Sequence, residues 1–248
     1  MTAEHYLGLT GARTMPTTAL QLTQRAINDL VELQAMGVVY GPAGSGKTFA
    51  WQTAVDTVDV PVCAVQFPSR PSMLRVAQVL LGRLSGRIPK GSRFALSDEL
   101  LDLLSERPRL VVVDEAQWLN RDCIEYVRHL HDDPATKFAL LLVGGNGCWE
   151  VLEREAMLRS RLFRRVAFAP MSADAVLRVI PNYHQLYTGV DPELLLLIDD
   201  VFAHGYFREW ATFTHTAQHV CEDRDTPLDE AITRAVFALH DGGADAGR

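Results

Sequence analysis

The stretch Gly41-Pro-Ala-Gly-Ser-Gly-Lys-Thr48 matches the pattern G-x-x-x-x-G-K-T, which is typical of a phosphate-binding loop. Its glycines allow tight turns, so that consecutive backbone N–H groups can point at one anion. Lys47 adds a positive charge for the β- and γ-phosphates of a nucleotide, and Thr48 offers a hydroxyl ligand to Mg²⁺. The residues that we expect to bind a nucleotide here are Gly41, Pro42, Ala43, Gly44, Ser45, Gly46, Lys47, Thr48 and Phe49.

The flanks of this loop agree with that interpretation. Residues 36–40 form a short apolar run typical of a strand, and residues 49–55 indicate the start of a helix. The N-terminus of a helix favours anions, because the helix dipole is positive there. A glycine-rich turn that matches the pattern by chance would require neither the strand before it nor the helix after it.

A second motif, Leu110-Val-Val-Val-Asp114-Glu115, joins four apolar residues to two acids. Such a run is typical of a buried parallel strand, and its C-terminal end here carries carboxylates. We expect Asp114 to hold Mg²⁺ together with Thr48, and Glu115 to polarise the attacking water. An acidic turn after a core strand is the alternative, and the joint occurrence with the phosphate-binding loop argues against it.

The next apolar run, residues 137–143, predicts another buried strand and ends in Gly144-Gly145-Asn146. In a doubly wound sheet, a polar residue at this tip lies between the phosphate-binding loop and the acids. Asn146 would then touch both the γ-phosphate and the water. The alternative is an ordinary turn asparagine.

Two further features of the chain contain arginines. The run Arg159-Ser-Arg161-Leu-Phe-Arg164-Arg165 precedes a last short strand expected at 166–168. These arginines either form a solvated face or reach the γ-phosphate bound to a neighbouring subunit. The run Gly205-Tyr-Phe-Arg208 opens a helix, and Arg208 either folds back over the nucleotide or lies on the helix surface.

The domain organisation follows from the point at which the strands stop. Amphipathic helices are predicted at 172–186, 192–203, 206–221 and 227–240, and an earlier helix at 96–106 has Ser97 as its expected N-cap. We expect residues 1–170 to form a nucleotide-binding domain with an N-terminal lead-in, 171–241 to form a helical lid, and 242–248 to form a tail. The lead-in near Thr10 and Gly11 is a candidate cover for the nucleotide base.

Composition limits the classes of function. The 248 residues carry a net charge of −7, which argues against a surface covered in nucleic-acid-binding charge but allows a local basic patch. The four cysteines form no C-x-x-C pair, so we expect neither zinc nor a disulfide framework. No apolar run reaches the roughly 18 residues of a membrane helix, and no export signal is visible, so we expect a cytoplasmic protein without membrane contact.

In their order along the chain, these motifs resemble those of AAA+ ATPases. The matching residues are Gly-Pro-Ala-Gly-Ser-Gly-Lys-Thr at 41–48, Val-Val-Val-Asp-Glu-Ala-Gln at 111–117, Asn146, Ser-Arg at 160–161 and Gly-x-x-Arg at 205–208. The resemblance implies an α/β fold, in which a P-loop parallel sheet with flanking helices is followed by a small all-helical lid. It also implies ATP and Mg²⁺ as cofactors and an ATP-dependent oligomer.

The same resemblance implies roles for individual residues. Lys47 and Glu115 are catalytic, Asn146 is sensor 1, and Arg208 is sensor 2, which contacts the nucleotide. Arg161 is the arginine finger that acts on the next subunit. The arginines that compete with Arg161 for this role are Arg159, Arg164 and Arg165.

Within AAA+, the Asp-Glu-Ala-Gln motif, Leu-Leu-Val-Gly-Gly-Asn at 141–146 and Leu-x-Ser-Arg-Leu-x-x-Arg-Val at 158–166 are similar to transposition ATPases of the phage Mu B protein type. Secretion-associated ATPases of the ExeA type share much of this pattern. The first resemblance implies an ATP-hydrolysing oligomer that binds duplex DNA non-specifically and regulates or targets a DNA transposase. The residues that would meet DNA phosphates, or else be scattered solvated charges, are Arg70, Arg75, Arg87, Lys90 and Arg93.

The alternative function comes from a different class. It is an AAA+ ATPase switch that acts on a protein partner, in secretion or signalling, without DNA. The acidic net charge of the chain departs from what strong DNA binding would lead one to expect.

Overall fold

The structure is a computed structural model that describes residues 5–67, 70–154 and 156–240. The expected tail, 242–248, and the last residue of the expected lid lie outside the described residues. No helix within these described ranges is both long enough and apolar enough to cross a membrane.

Five strands form one parallel sheet, and they follow the order β2-β3-β4-β1-β5 across it. Their bounds are β1 (Met36–Tyr40), β2 (Val62–Gln66), β3 (Arg109–Asp114), β4 (Phe138–Gly144) and β5 (Leu162–Ala167). The strand β4 lies between β3 and β1, as the doubly wound arrangement requires. The predicted α/β fold is therefore confirmed, and the carboxyl ends of β1, β3 and β4 meet at one edge of the sheet.

Helices connect and follow the strands. In the described part of the chain they are α1 (Thr18–Leu33), α2 (Lys47–Val55), α3 (Met73–Ser85), α4 (Arg93–Glu106), α5 (Arg121–Asp132), α6 (Asn146–Arg154), α7 (Ala156–Arg161), α8 (Ala173–Tyr183), α9 (Pro192–Ile198), α10 (Phe207–Arg224) and α11 (Glu230–His240). A π-helical turn, Asp199–Ala203, continues α9, and a short 3-10 turn, Ala116–Trp118, follows β3.

The sheet is buried on both faces, which explains why its strands are continuous apolar runs. In β3, Val111 and Val113 belong to a cluster with side chains of α3, α4 and α5. Leu110 and Val112 point to the other face and cluster with α1 and α2. All four side chains are at most 1 % exposed. A slip of one residue would exchange the two faces, so this burial fixes the register of the strand.

The start of α4 differs from the sequence prediction. Ser97 was expected to cap this helix, and that prediction was wrong, because Ser92 is the N-cap and accepts a hydrogen bond from the backbone N–H of Ala95. The helix therefore begins at Arg93, one turn earlier than expected. The Ser97 hydroxyl instead lies inside the helix, where it donates to the carbonyl of Arg93 at 2.8 Å.

The last strand also begins earlier than predicted. It was expected at 166–168, whereas β5 starts at Leu162 and therefore contains Arg164 and Arg165. Among the described strands it lies at the edge of the sheet, where its neighbour is β1. An edge strand has one solvated side, so it accommodates two successive arginines. These arginines interrupt the apolar pattern on which the strand prediction was based.

The described chain divides into two compact units. The first contains Thr18–Pro42 and Ala50–Phe168 and holds the sheet. The second contains residues 5–17, 43–49 and 169–240 and is mostly helical. The domain boundaries given above remain a prediction.

The helical unit has an apolar core of its own. Trp210 and Phe213 of α10 are fully buried in it, together with Tyr187. The indole N–H of Trp210 donates to Oδ1 of Asp199 at 3.0 Å, and the backbone N–H of Gly205 donates to the same oxygen at 2.8 Å. This carboxylate thereby satisfies a buried donor and holds the turn that precedes Arg208.

Candidate nucleotide-binding site

The phosphate-binding loop lies between the end of β1 and the start of α2. Gly41, Gly44 and Gly46 have φ angles of 149°, 77° and 97°, which are conformations that residues with a side chain rarely adopt. Lys47 and Thr48 are the first two residues of α2, at the end of the helix where an anion is favoured. The glycines therefore have the backbone conformations that the predicted loop needs.

Gly41 is also required by a close approach of two backbones. A Cβ atom at this position would lie 2.3 Å from the carbonyl oxygen of Phe168. The N–H of Phe168 in turn donates to the carbonyl of Tyr40 at 2.7 Å. The chain just after β5 therefore fixes the first residue of the phosphate-binding loop.

Within the helical unit, the phosphate-binding loop contacts the start of α10. The backbone N–H of Arg208 donates to the carbonyl of Gly44 at 3.1 Å. A Cβ atom on Gly44 would lie 3.2 Å from Cβ of Arg208, and one on Gly46 would lie 3.8 Å from the ring of Phe207. The predicted sensor 2 residue is thus held against the loop through its backbone.

The Arg208 side chain lies on a different neighbour. Its guanidinium is 5.3 Å from the ring centroid of Tyr6, in the N-terminal lead-in. The lead-in also places His5 with its ring centroid 4.9 Å from that of Phe49 and 5.9 Å from that of Tyr183. Burial lowers the pKa of His5. These aromatic side chains give the helical unit an apolar wall beside residues 43–49, which suits a flat nucleotide base.

The Thr10 and Gly11 segment of the lead-in is attached to α8 and the residue after it. The buried ring of His184 has Nε2 at 3.0 Å from the Thr10 carbonyl, while its Nδ1 accepts a hydrogen bond from the N–H of Leu186. The Nε2 atom therefore carries the proton and donates it to Thr10. A Cβ on Gly11 would lie 2.8 Å from this Nε2, so the contact leaves room only for glycine.

In the sheet unit, Asp114 ends β3 and is held by two donors. Its Oδ2 accepts a hydrogen bond of 3.0 Å from the indole Nε1 of Trp51, and its Oδ1 accepts one of 2.8 Å from the N–H of Glu115. Carboxylate oxygen is the ligand type that Mg²⁺ prefers, so the donor chemistry of Asp114 fits the predicted metal role. Glu115 itself has a φ of 54°, an uncommon conformation for a residue with a side chain.

Sequence reasoning missed Gln117, which belongs to this part of the site. Its side-chain amide N–H donates to Oε2 of Glu115, and its Oε1 accepts a hydrogen bond of 2.8 Å from the N–H of Gly145. Gln117 is the last residue of the Asp-Glu-Ala-Gln motif, but the spacing of the motif does not indicate which residues it contacts. Gln117 therefore joins the end of β3 to the end of β4.

Asn146, the predicted sensor 1, is the first residue of α6 and is exposed. It follows β4 by two residues, and β4 lies between β3 and β1 in the sheet. The asparagine that was predicted after the fourth strand therefore lies at the start of a helix rather than in a loop.

The four arginines around the start of β5 have different partners. The guanidinium of Arg161, on α7, lies 3.5 Å from Oδ2 of Asp132. The Nε atom of Arg164 lies 2.7 Å from Oδ2 of Asp29. Arg165 donates to the carbonyl of Arg159 at 3.3 Å and lies over the ring of Trp149, 5.3 Å from its centroid. Arg161 therefore lies beside an acid of its own chain, on α5. Its role as an arginine finger toward the next subunit remains a prediction.

A parallel sheet in the order β2-β3-β4-β1-β5, a G-x-x-x-x-G-K-T loop after β1 and an acidic pair after β3 define an AAA+ P-loop fold. Residues 31–152 match the family model described as an AAA domain. No curated protein sequence matches the chain significantly.

Several solved structures have a fold similar to that of this chain. The Aeropyrum pernix ORC2 protein in its ADPNP-ADP complexes matches with 17 % identity and a TM-score of 0.67, over 91 % of this chain and 69 % of that one. The Aeropyrum pernix ORC1 protein in complex with DNA matches with 19 % identity and a TM-score of 0.65, over 89 % and 64 %. The Thermotoga maritima RuvB Holliday junction branch migration motor matches with 13 % identity and a TM-score of 0.61, over 91 % and 70 %.

These likenesses bear on the fold alone, because the identities are low. The chain spans about two thirds of the length of these proteins. Neither the Mu B type nor the ExeA type is singled out by them.

Proposed function

We propose that this protein is a cytoplasmic AAA+ ATPase that hydrolyses ATP in an oligomer, binds duplex DNA without sequence preference, and regulates or targets a DNA transposase. The observation that carries the ATPase part is the phosphate-binding loop, whose three glycines have the positive φ angles that such a loop needs. The AAA domain match over residues 31–152 supports the same conclusion.

The nucleotide is bound by residues 41–49 and Arg208. Lys47 and the amides of the loop hold the β- and γ-phosphates, and the guanidinium of Arg208 moves from Tyr6 to the phosphates. Thr48 and Asp114 are the proposed ligands of Mg²⁺. When bound, this ion neutralises the charge that develops on the phosphate oxygens.

The acids and amides at the carboxyl ends of β3 and β4 carry out hydrolysis. Glu115 takes a proton from the attacking water or polarises it, and Asn146 aligns that water with the γ-phosphate. An arginine from the α7–β5 segment of the next subunit, Arg161 by the family resemblance, stabilises the charge of the transition state. Such a finger is worth about 10³ to 10⁵ in rate in other systems. Hydrolysis then requires an oligomer.

The DNA part of the proposal rests on an exposed basic loop and on the relatives. The last turn of α3 and the α3–α4 connection present Arg83, Arg87 and Lys90 to solvent, and among these Arg87 pairs with Glu99. Clustered positive charge of this kind meets DNA phosphates without reading sequence. The ORC1 structure that shares the fold is a complex with DNA. The transposase is proposed from the family resemblance.

One observation favours the second candidate, a switch that acts on a protein partner without DNA. The α3–α4 connection exposes the large apolar side chain of Ile88 at 87 %, and the first turn of α4 exposes that of Phe94 at 69 %. Exposed apolar groups beside charged ones are typical of protein interaction surfaces. The test must therefore separate DNA from a protein as the partner.

Electron microscopy with a non-hydrolysable ATP analogue, with and without random-sequence duplex DNA, makes this separation. Filaments or rings that form only on DNA are the expected result. Rings that form equally well without DNA, combined with no DNA affinity at low salt, would refute the DNA proposal and favour a protein partner.

Salt-dependent binding of labelled duplex DNA locates the contact. We expect Lys90→Ala to weaken binding of all sequences alike and to reduce the slope of log K against log salt by about 1. Lys137→Ala is the matched control, because Lys137 is an exposed lysine outside the α3–α4 connection, just before β4. An equal effect of both variants would contradict the assignment of the α3–α4 loop.

A further inference from the structure

Gln117 spans the gap between the proposed catalytic acid and the β4–α6 turn. Its amide N–H donates to Glu115 Oε2, and its amide oxygen accepts from the Gly145 N–H at 2.8 Å. Only one orientation of the amide serves both neighbours, because a carboxylate accepts and a backbone N–H donates. The side chain therefore acts as an oriented bridge between two strand ends.

The glycine run after β4 is shaped around this bridge. A Cβ on Gly144 would lie 2.7 Å from Oε1 of Gln117, and a Cβ on Gly145 would lie 3.8 Å from its Cδ. A Cβ on Gly147 would lie 3.9 Å from the Gln117 Cβ. The side chain of Gln117 therefore excludes a Cβ at Gly144, whereas a Cβ at Gly145 or Gly147 would make an ordinary van der Waals contact with it. The backbone of the turn packs directly on the amide.

The other end of the bridge is fixed to the core. Gln117 lies on the 3-10 turn Ala116–Trp118, in which Ala116 is fully buried and the N–H of Trp118 donates to the Glu115 carbonyl at 3.0 Å. Glu115 precedes this turn with a φ of 54°. The anchored turn therefore holds Gln117 in place beside the Glu115 carboxylate, to which its amide N–H donates.

We propose that Gln117 is a positioning residue that sets the direction of the Glu115 carboxylate according to the position of the β4–α6 turn. Asn146, the first residue of α6, directly follows Gly145, whose backbone N–H donates to Gln117. A shift of the turn on nucleotide contact would pull on the amide and move the carboxylate. The proposal rests on the proposed ATPase function, and it makes turnover rather than nucleotide affinity the property that Gln117 controls.

Three substitutions separate the two ends of the bridge in the full-length protein. Gln117→Ala removes both hydrogen bonds, and Gln117→Glu keeps an acceptor for Gly145 but places a negative charge beside Glu115. Gln117→Asn keeps the amide but is one methylene shorter, so it reaches one neighbour at most. Gln24→Ala, on the exposed side of α1, is the matched control.

The measurements are kcat and KM for ATP and the affinity for a fluorescent ATP analogue. A general base contributes about 10²- to 10⁴-fold, so a misdirected one should lower kcat by about 10- to 100-fold while the nucleotide affinity changes less than about 3-fold. Gln117→Asn should give no more than partial recovery relative to Gln117→Ala.

Wild-type kcat in Gln117→Ala and Gln117→Glu, in a protein whose wild type hydrolyses ATP, would overturn the positioning role and leave the ATPase proposal standing. A large loss of nucleotide affinity in these variants, with kcat at saturating ATP unchanged, would also overturn it. A wild type that binds no ATP would overturn both proposals. Circular dichroism and thermal melting of each variant identify any that fails to fold, and Gln117→Glu, which is isosteric, then decides the question.

Discussion

The indole Nε1 of Trp51 donates a hydrogen bond of 3.0 Å to Oδ2 of Asp114, across the face of the sheet between α2 and β3. Trp51 is 2 % exposed, so this donor is fixed by the apolar core rather than by solvent. Partners of this kind orient a metal-ligating carboxylate, and their loss costs about 10- to 100-fold in metal affinity or activity in other proteins. The direction of the Asp114 carboxylate is therefore set by the packing of α2.

Trp51→Phe removes this donor while retaining an aromatic ring. We expect the Mg²⁺ concentration for half-maximal ATPase activity to rise about 10-fold. The smaller ring and the loss of one hydrogen bond to the carboxylate should also lower the free energy of unfolding by about 1 to 3 kcal/mol. Both quantities are measurable, by Mg²⁺ titration of activity and by urea unfolding.

Trp118→Phe is the control for this change, because Trp118 is 44 % exposed on the turn after β3. If both variants shifted the Mg²⁺ titration equally, the role assigned to the Trp51 indole would be wrong.

Gly41→Ala should destabilise the fold strongly. The φ of 149° is unfavourable for alanine, and the new Cβ would lie 2.3 Å from the backbone oxygen of Phe168, which cannot move aside cheaply. We expect a loss of about 2 kcal/mol or more in the free energy of unfolding. Gly86→Ala is matched to it, since Gly86 has a φ of 71° but nothing within 4 Å of an added Cβ.

For Gly86→Ala only the backbone strain remains, so a loss of about 1 kcal/mol is expected. Chemical denaturation of both variants checks the ranking, and a smaller loss in Gly41→Ala than in Gly86→Ala would contradict it.

Stability should fall in mild acid because of His131 on α5. Burial lowers the pKa of His131 below its usual value, although the hydrogen bond to the Gln34 carbonyl and the charge of Asp132 oppose this shift. The unfolded chain then binds a proton at about pH 6.5 while the folded chain does not. The stability that neutral His131 contributes is present above that pH and is lost as the pH falls through it toward the lowered pKa.

His131→Gln cannot titrate but can still donate to the Gln34 carbonyl. Urea unfolding at pH 8 and at pH 5 should show a smaller loss of stability in this variant than in the wild type. An identical pH dependence in the two proteins would show that His131 does not contribute.

Arg208→Ala isolates the guanidinium from the backbone contact. The N–H of residue 208 would still donate to Gly44, so the fold of the loop should be retained. If the guanidinium moves to the phosphates, kcat should fall about 10-fold or more. Arg234→Ala on α11 removes an exposed arginine that pairs with Glu230, and it should change neither kcat nor nucleotide affinity. Equal kcat values for the two variants would rule out the sensor role.

Much of the fold was predictable because its decisive elements have strong local signals. The apolar runs of β1, β3 and β4 and the glycines of the phosphate-binding loop each follow from one physical requirement, namely burial on two faces or a positive φ. The α/β class and the place of β4 between β1 and β3 follow from these. Local patterns failed at β5, where arginines on an edge strand conceal the strand, and at α4, where Ser92 competes with Ser97 as the cap.

The contacts of the candidate site were less predictable because they join residues far apart in the chain. Nothing in the neighbourhood of Trp51 in the sequence indicates a bond to Asp114, 63 residues away. Gln117 and Gly145 are 28 residues apart, and their hydrogen bond depends on the pairing of β3 with β4. Sequence spacing predicts residue types at strand ends, whereas the partner of each side chain depends on packing across the sheet.

The central claim, that this protein hydrolyses ATP at the phosphate-binding loop and the acidic pair, is tested most directly by comparing the wild type with Lys47→Ala and Glu115→Gln. Binding of a fluorescent ATP analogue and steady-state phosphate release would be measured for all three, with duplex DNA present. The account predicts that the wild type binds and hydrolyses, that Lys47→Ala does not bind, and that Glu115→Gln binds normally but loses turnover. Normal hydrolysis by Glu115→Gln, or normal nucleotide binding by Lys47→Ala, would contradict it.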